Sequence, residues 1–171
     1  FIKERPLPEA EAGLAAAGSR EAPRGPVTVD DATVFLARFA NGALGSIEST
    51  RLAPGQRCTN AFEINGSKGS IRFDFERMNE LEVYFVDDPA DVQGFRRIMV
   101  TDAAHEYAPA WWPPGHPIGF GQTFTHAVLE LLQALEEDRQ PAPNFADGVK
   151  AQAVLEAVER SIAERRWVAV S

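Results

Sequence analysis

The chain has 171 residues, 17 of them basic and 25 acidic, which gives a net charge of −8 near pH 7. This length suffices for a single domain with a hydrophobic core, and the acidic balance argues against nucleic acid or an anionic membrane as a partner. No apolar run approaches the roughly 20 residues needed to cross a bilayer. The single cysteine, Cys58, permits no internal disulfide, so the cytoplasm is the default location.

The first predicted element is a short strand over residues 1–4, which Pro6 and Pro8 end. Residues 9–26 are rich in alanine, glycine and charge and have no apolar stripe. This composition predicts a surface loop.

A β-hairpin is predicted over residues 31–52, because Asn41-Gly42 separates two β-prone runs. Asn and Gly both accept positive φ, so we expect a two-residue type I′ turn. The pairs expected from this turn are Phe39 with Leu44, Leu36 with Ile47, and Phe35 with Glu48.

This register would place Phe35, Phe39 and Leu44 together on one face of the sheet. Two helices can cover only one face of a wide sheet. We therefore expect a second subunit to cover the other face and the protein to form a homo-dimer or tetramer.

Further strands are predicted over residues 60–64, 70–75, 81–86 and 96–101. Residues 102–120 then form a long loop that contains prolines, tryptophans and histidines. Loops of this length inside a compact domain are often functional.

Two helices and a last strand follow the loop. The first helix has an apolar stripe at helical spacing, namely Phe124, Val128, Leu131, Leu132 and Leu135. The second helix is predicted over residues 145–165, with Asn144 as N-cap, Asp147 completing a capping box, and a stripe that includes Leu155, Val158 and Ile162. Residues 167–170 are expected to form a final strand.

No motif in the chain predicts a cofactor or metal site. Residues 119–124 read G-x-G-x-x-F, but the prolines before them exclude a preceding central strand, so the dinucleotide fingerprint fails. His105, His116 and His126 share no ligand spacing. His126 is therefore read as a solvated or hydrogen-bonded helix residue.

The loop offers candidate substrate contacts instead. Trp111 and Trp112 are adjacent, so an extended backbone would bury one and leave the other exposed beside His116. An indole can stack on a sugar ring, and an imidazole can bond a hydroxyl. Arg51 and Asn60 bracket the connection between the hairpins and could offer donors to a polyol. A purely structural or surface role remains the alternative for each of these residues.

Several sequence segments, in their order, carry a family resemblance. They are FANGALGSIEST, FEINGSKGSIRFDFERMNEL, WWPPGHPIGFGQTFTH and PNFADGVKAQAVLEAVERS. The chain resembles the C-terminal domain of the glucose-fructose oxidoreductase / inositol dehydrogenase / MocA (Gfo/Idh/MocA) family. The resemblance implies an α+β fold over residues 1–171, with an open, mainly antiparallel sheet and helices packed on one face, as in dihydrodipicolinate reductase C-terminal domains. It also implies that the Rossmann domain, with its NAD or NADP site, is absent from this chain.

The same resemblance implies that the catalytic lysine, aspartate and histidine of the family lie upstream of Phe1, because no Glu-Lys-Pro motif is present. The expected parent is an NAD(P)-dependent oxidoreductase acting on a sugar, inositol or related polyol. This chain would supply part of the substrate pocket and the subunit interface, and alone would bind no cofactor. Two alternatives stay open: a non-catalytic binding or assembly module, and an enzyme of the family that performs NAD-assisted elimination or glycoside cleavage.

Overall fold

The computed structural model describes residues 2–7 and 21–171. The chain divides into two compact units, residues 1–56 and residues 57–171, and each is described by itself. Of the predicted loop over residues 9–26, the part up to residue 20 lies outside the described residues, and Arg24–Pro26 forms a strand rather than a loop. Among the described residues, no helix is long and apolar enough to span a membrane.

The first unit begins with two short antiparallel strands, β1 (Glu4–Pro6) and β2 (Arg24–Pro26). The buried side chain of Asp31 ties this pair to the following hairpin: it accepts a hydrogen bond from the Ile2 amide (2.9 Å) and forms an ion pair with Arg5. The Asp31 carbonyl also accepts from the Arg51 amide (2.8 Å). Asp31 thus connects the residues near the start of the chain with both strands of the hairpin at its open end.

The hairpin of β3 (Ala32–Arg38) and β4 (Leu44–Thr50) is confirmed, but the predicted turn type is wrong. The Gly42 amide donates to the Phe39 carbonyl and the Phe39 amide donates to the Ala43 carbonyl, so the loop has three residues. Of its residues only Gly42 has positive φ (89°), and the Asn41 side chain instead accepts from the Ala43 amide (3.0 Å). This is the three-residue hairpin in which the last loop residue takes the left-handed conformation.

The extra loop residue shifts the register by one and moves side chains to the opposite face. Phe35 lies opposite Ile47, and Leu36 lies opposite Ser46. The predicted cluster of Phe35, Phe39 and Leu44 on one face is therefore wrong. Leu44 shares its face with Leu36 and Val34, and all three side chains are exposed.

The second unit contains a four-stranded antiparallel sheet in the order β5-β6-β7-β8. Its strands are β5 (Ala61–Asn65), β6 (Gly69–Asp74), β7 (Glu80–Phe85) and β8 (Arg96–Met99). One face is apolar, with Phe62 packed against Phe73 (ring centroids 5.5 Å apart) and Ile71 opposite the buried Val83.

The other face of this sheet carries a row of alternating charges. Glu63, Arg72, Glu82 and Arg97 are successive cross-strand partners on β5, β6, β7 and β8. Arg72 donates to Glu63 (2.6 Å), and the guanidinium of Arg72 also lies 4.0 Å from the centre of the Phe95 ring. Directly opposite charges of unlike sign stabilise strand pairing. We call these four residues the charge ladder.

Two helices complete the second unit, α1 (Phe120–Glu136) and α2 (Phe145–Glu164). The predicted capping box of α2 is confirmed: Asn144 accepts from the Ala146 amide (2.8 Å), and Asp147 accepts from the Asn144 amide (3.1 Å). The α+β fold class is likewise confirmed. The predicted strand over residues 167–170 is wrong: among residues 2–7 and 21–171 this segment joins no strand ladder, and Arg160 of α2 donates to its Ala169 carbonyl.

Helices that pack on one face of a sheet are expected to use their apolar stripes as the contact, and this expectation is wrong for most members of the two stripes. Leu131 and Leu155 are 46% and 55% exposed, so truncating either would not carry the cost of opening a core cavity. The residues that α1 and α2 bury fully are the small Ala134 and Ala157. An apolar stripe shows which side of a helix should be buried, but of the residues described in α1 and α2 only these two alanines are buried.

Candidate functional site

The candidate site is the loop between β8 and α1, which hydrogen bonds hold at several points. The buried hydroxyl of Thr101 accepts a hydrogen bond from the Gly115 amide (3.1 Å). The Asn79 side chain accepts from the Ile118 amide (2.8 Å) and donates to the Ile118 carbonyl (2.9 Å). Asn79 thereby pairs with Ile118 as a neighbouring strand would. The end of the loop has a fixed position although it has no regular structure.

Two of the predicted substrate contacts lie in the exposed part of this loop. Trp112 is 56% exposed and His116 is also exposed. The Nδ1 atom of His116 lies 2.9 Å from the Pro113 carbonyl oxygen. Because a carbonyl can only accept, Nδ1 carries the proton, and Nε2 of the neutral ring is left as an acceptor facing outward from this bond.

The other tryptophan, Trp111, is half-buried and anchored, as the alternation of adjacent side chains predicts. Its indole N–H donates to Nε2 of His126 on α1, with 2.7 Å between the nitrogens. The ring of Tyr107 stacks on the same imidazole, with centroids 4.4 Å apart and an interplanar angle of 16°. Trp111 therefore joins the loop to the helix.

Tyr107 is fixed in turn by Glu130, one helical turn after His126. The Tyr107 hydroxyl donates to the Glu130 carboxylate (2.5 Å), and Arg139 lies 3.6 Å from the other carboxylate oxygen. The hydrogen bond to Glu130 raises the pKa of Tyr107 to about 12. Tyr107 thus remains a hydroxyl donor throughout the neutral range. We call Tyr107, Trp111, His126 and Glu130 the aromatic anchor.

Asn60 lies just before β5, in the second unit. Its carbonyl accepts from the Phe75 amide (3.1 Å). The segment before it is held by Glu76, whose carboxylate accepts from the amides of Cys58 (2.6 Å) and Arg57 (2.7 Å). These two bonds lower the pKa of Glu76. The Asn60 side chain is exposed at the end of this pinned segment.

Arg51 belongs to the first unit, where it follows β4. Its backbone amide is bonded to Asp31 and its side chain is exposed. The structure thus leaves all four predicted contacts, Arg51, Asn60, Trp112 and His116, at exposed positions. It places Trp112 and His116 on one short segment.

The start of α1 does not fit the phosphates of a nicotinamide dinucleotide. Gly119 is the N-cap of α1 and follows a loop rather than a strand, and its amide donates to the Gln122 side chain (3.0 Å). A pyrophosphate site needs such amides pointing free at a helix start after a strand. In the part of the chain that the structure describes, no three histidine, cysteine or acidic side chains group as metal ligands.

Sequence reasoning missed the aromatic anchor. It read His126 as solvated or hydrogen-bonded, and the second interpretation is confirmed. Two equal spacings gave a signal: Tyr107 and Trp111 are four residues apart in the loop, as are His126 and Glu130 on α1. The four-residue spacing places His126 and Glu130 on one side of the helix, where two loop side chains can meet them.

Comparison with known proteins gives consistent relatives. Residues 6–170 match the sequence model of a protein family, Gfo/Idh/MocA, described as the oxidoreductase family, C-terminal alpha/beta domain. Levoglucosan dehydrogenase of Pseudarthrobacter phenanthrenivorans is 42% identical over 99% of this chain and 44% of its own length.

Several solved structures are similar over the whole chain, and two of them serve as examples. One is an oxidoreductase domain protein from Kribbella flavida, 51% identical with a TM-score of 0.89, of which this chain covers 43%. The other is a levoglucosan dehydrogenase in complex with NADH and L-sorbose, 41% identical with a TM-score of 0.88, of which this chain also covers 43%. The chain thus spans less than half the length of these relatives. It belongs to the Gfo/Idh/MocA oxidoreductase family and corresponds to the C-terminal α/β domain of that family.

Proposed function

We propose that this chain is the substrate-binding and subunit-contact domain of an NAD(P)-dependent oxidoreductase that acts on a sugar, inositol or related polyol. The observation that carries the proposal is the exposed pair Trp112 and His116 on a loop whose two sides are fastened. The relatives add support, since levoglucosan dehydrogenase has been solved with NADH and a sugar.

The chemistry of the two side chains suits a polyhydroxylated ring. The exposed indole of Trp112 offers a flat apolar surface to the C–H face of a sugar. In the neutral ring Nε2 of His116 is an acceptor, for which a sugar hydroxyl can supply the donor. Arg51 and Asn60 are proposed as further donors to hydroxyl oxygens.

The cofactor, NAD or NADP, is proposed to bind to a Rossmann domain outside this chain, where it would accept the hydride from the substrate carbon. On this proposal the chain alone neither binds NAD(P)H nor oxidises a sugar. Micromolar affinity would need about −8 kcal/mol of specific contact, and the Gly119 amide that a phosphate would require is already bonded.

The test is steady-state kinetics of the full-length protein with Trp112→Ala. We expect the KM for the sugar to rise about tenfold, equivalent to about 1.4 kcal/mol of lost contact, with the KM for the nicotinamide unchanged. Trp167→Ala is the matched control, because Trp167 is also an exposed tryptophan (59%) but lies beyond α2. An equal rise in KM for both variants would contradict the assignment of Trp112.

The subunit-contact role is proposed for the charge ladder, with a second copy of this chain as the occupant. The order Glu63, Arg72, Glu82, Arg97 is self-complementary. A two-fold axis through its centre places each glutamate opposite an arginine of the other copy. Such an interface should bury more than about 1,000 Å² in total.

A mixing experiment tests this interface. The variant that reverses all four charges (Glu63→Arg, Arg72→Glu, Glu82→Arg and Arg97→Glu) keeps the alternation within the sheet and between identical copies. We expect it to form dimers with itself but not with the unmodified protein, because a mixed pair sets like charges opposite each other. Native mass spectrometry of the mixture reads this out. Statistical mixing, or an unmodified protein that is monomeric at tens of micromolar, would exclude this face as the interface.

A further inference from the structure

The hydrogen bond between Trp111 and His126 fixes the protonation state of the histidine. An indole N–H can only donate, so Nε2 of His126 must be unprotonated to accept it at 2.7 Å. The neutral ring then carries its proton on Nδ1. A second proton on Nε2 would set two N–H groups against each other.

The imidazole cannot easily turn away from this conflict. The Tyr107 ring stacks on it, and the Tyr107 hydroxyl is held by Glu130. Tyr107 also has φ of 64°, a conformation unusual for a residue with a side chain, which its surroundings must enforce. The aromatic anchor is thus a rigid set of contacts.

The aromatic anchor lies directly before the exposed segment of residues 112–116, which carries the proposed sugar contacts. Trp111 directly precedes Trp112, whereas the next fastening, between Gly115 and Thr101, lies on the far side of Trp112. The bond from Trp111 to His126 therefore holds one end of the exposed residues 112–116. Releasing this bond frees that end and leaves the other end fixed.

We propose that His126 is a positioning residue for substrate binding: its neutral imidazole holds Trp111, and protonation of His126 releases Trp111 and weakens sugar binding through Trp112. This inference rests on the proposed function of Trp112. It does not require His126 to touch the substrate.

Several charged or titratable groups surround His126. Tyr107 faces it from the loop, with Glu106 next in sequence. Glu130 lies one turn along α1, and Arg139 follows that helix. The Glu130 carboxylate accepts a hydrogen bond from Tyr107 and pairs with Arg139, so both of its oxygens have partners other than the imidazole. Histidine is the side chain suited to a change of charge between pH 5 and 8, so the kinetics are compared over this range.

The experiment uses the full-length enzyme and three substitutions. Trp111→Phe removes the donor, His126→Ala removes the acceptor, and His126→Gln keeps an acceptor that does not titrate. We expect the first two to raise the KM for the sugar about tenfold at pH 8, with kcat changed less than about twofold, as for loss of one binding contact. His126→Gln should restore most of the affinity at pH 8 and remove the rise in KM that the unmodified enzyme shows as pH falls from 8 to 5.

A fluorescence titration without substrate separates this inference from the proposed function. The Trp111 contribution is the difference in emission between the protein and its Trp111→Phe variant. We expect it to change between pH 8 and 5 in the unmodified protein and in His105→Gln, a control in the same loop, but to stay constant in His126→Gln. A transition that persists in His126→Gln, or no transition in the unmodified protein, would overturn the role of His126. If this transition is present but Trp112→Ala leaves the KM for the sugar unchanged, the role of His126 in holding Trp111 is supported and the proposed sugar contact of Trp112 is contradicted.

Discussion

Replacing Gly69 with alanine is expected to lower the free energy of unfolding by about 3 kcal/mol. Gly69 begins β6 opposite Phe85, and a Cβ there would lie 2.3 Å from the Tyr84 carbonyl oxygen. That distance is far inside van der Waals contact, and the obstacle is backbone rather than a flexible side chain. The β6–β7 pairing must move apart to admit one methyl group.

The control lies in the same hairpin. At Gly66 an added Cβ would meet nothing closer than the Gly69 carbonyl oxygen at 3.6 Å. Gly66→Ala should therefore leave the stability within about 1 kcal/mol, or raise it slightly by restricting the unfolded chain. Urea denaturation of both variants makes the comparison. Equal losses would show that the two positions differ less than the close approach to Tyr84 implies.

Replacing Asp31 with alanine is expected to cost about 3 kcal/mol, because it leaves Arg5 without its buried partner. The Asp31 side chain is 1% exposed and that of Arg5 is 30% exposed. The substitution also leaves the Ile2 amide without its acceptor. The free energy of unfolding, and hydrogen exchange in residues 1–56, should both report the loss.

The neighbouring Asp30 provides the matched comparison, since it is exposed and has the same side chain. Asp30→Ala should change the stability by less than about 0.5 kcal/mol. Asp31→Asn should fall between the two, because an amide oxygen can still accept from Ile2 but carries no charge for Arg5. A loss in Asp31→Asn as small as that in Asp30→Ala would show that the ion pair contributes little.

The sequence predicted the elements of this fold better than their register. The Asn41-Gly42 pair located the hairpin, yet the same two residues suit both a two-residue and a three-residue loop. Asn41 uses its side chain to bond the Ala43 amide, and Gly42 alone takes positive φ. The choice between the loops depends on a few local hydrogen bonds, but it decides the face of every side chain in both strands.

The capping box of α2 was predicted correctly because Asn144 and Asp147 satisfy amides within one turn of the chain. The burial of the apolar stripes of α1 and α2 was not predicted correctly, because burial depends on what packs against a helix. The aromatic anchor was missed for the same reason. The contact of Trp111 with His126 spans 15 residues and is set by the path of the loop. The sequence indicates that Trp112 and His116 lie on an exposed loop, but it does not show which contacts hold that loop.

The two hydrogen bonds between Asn79 and Ile118 separate the start of α1 from the loop that precedes it. Because α1 begins two residues after Ile118, its start is set by Asn79 and not by the length of chain before it. Insertions or deletions around residues 102–106 should therefore leave the start of α1 in place. A change in the length of the chain before Ile118 would thus be absorbed within the loop, with the sheet and helices unchanged.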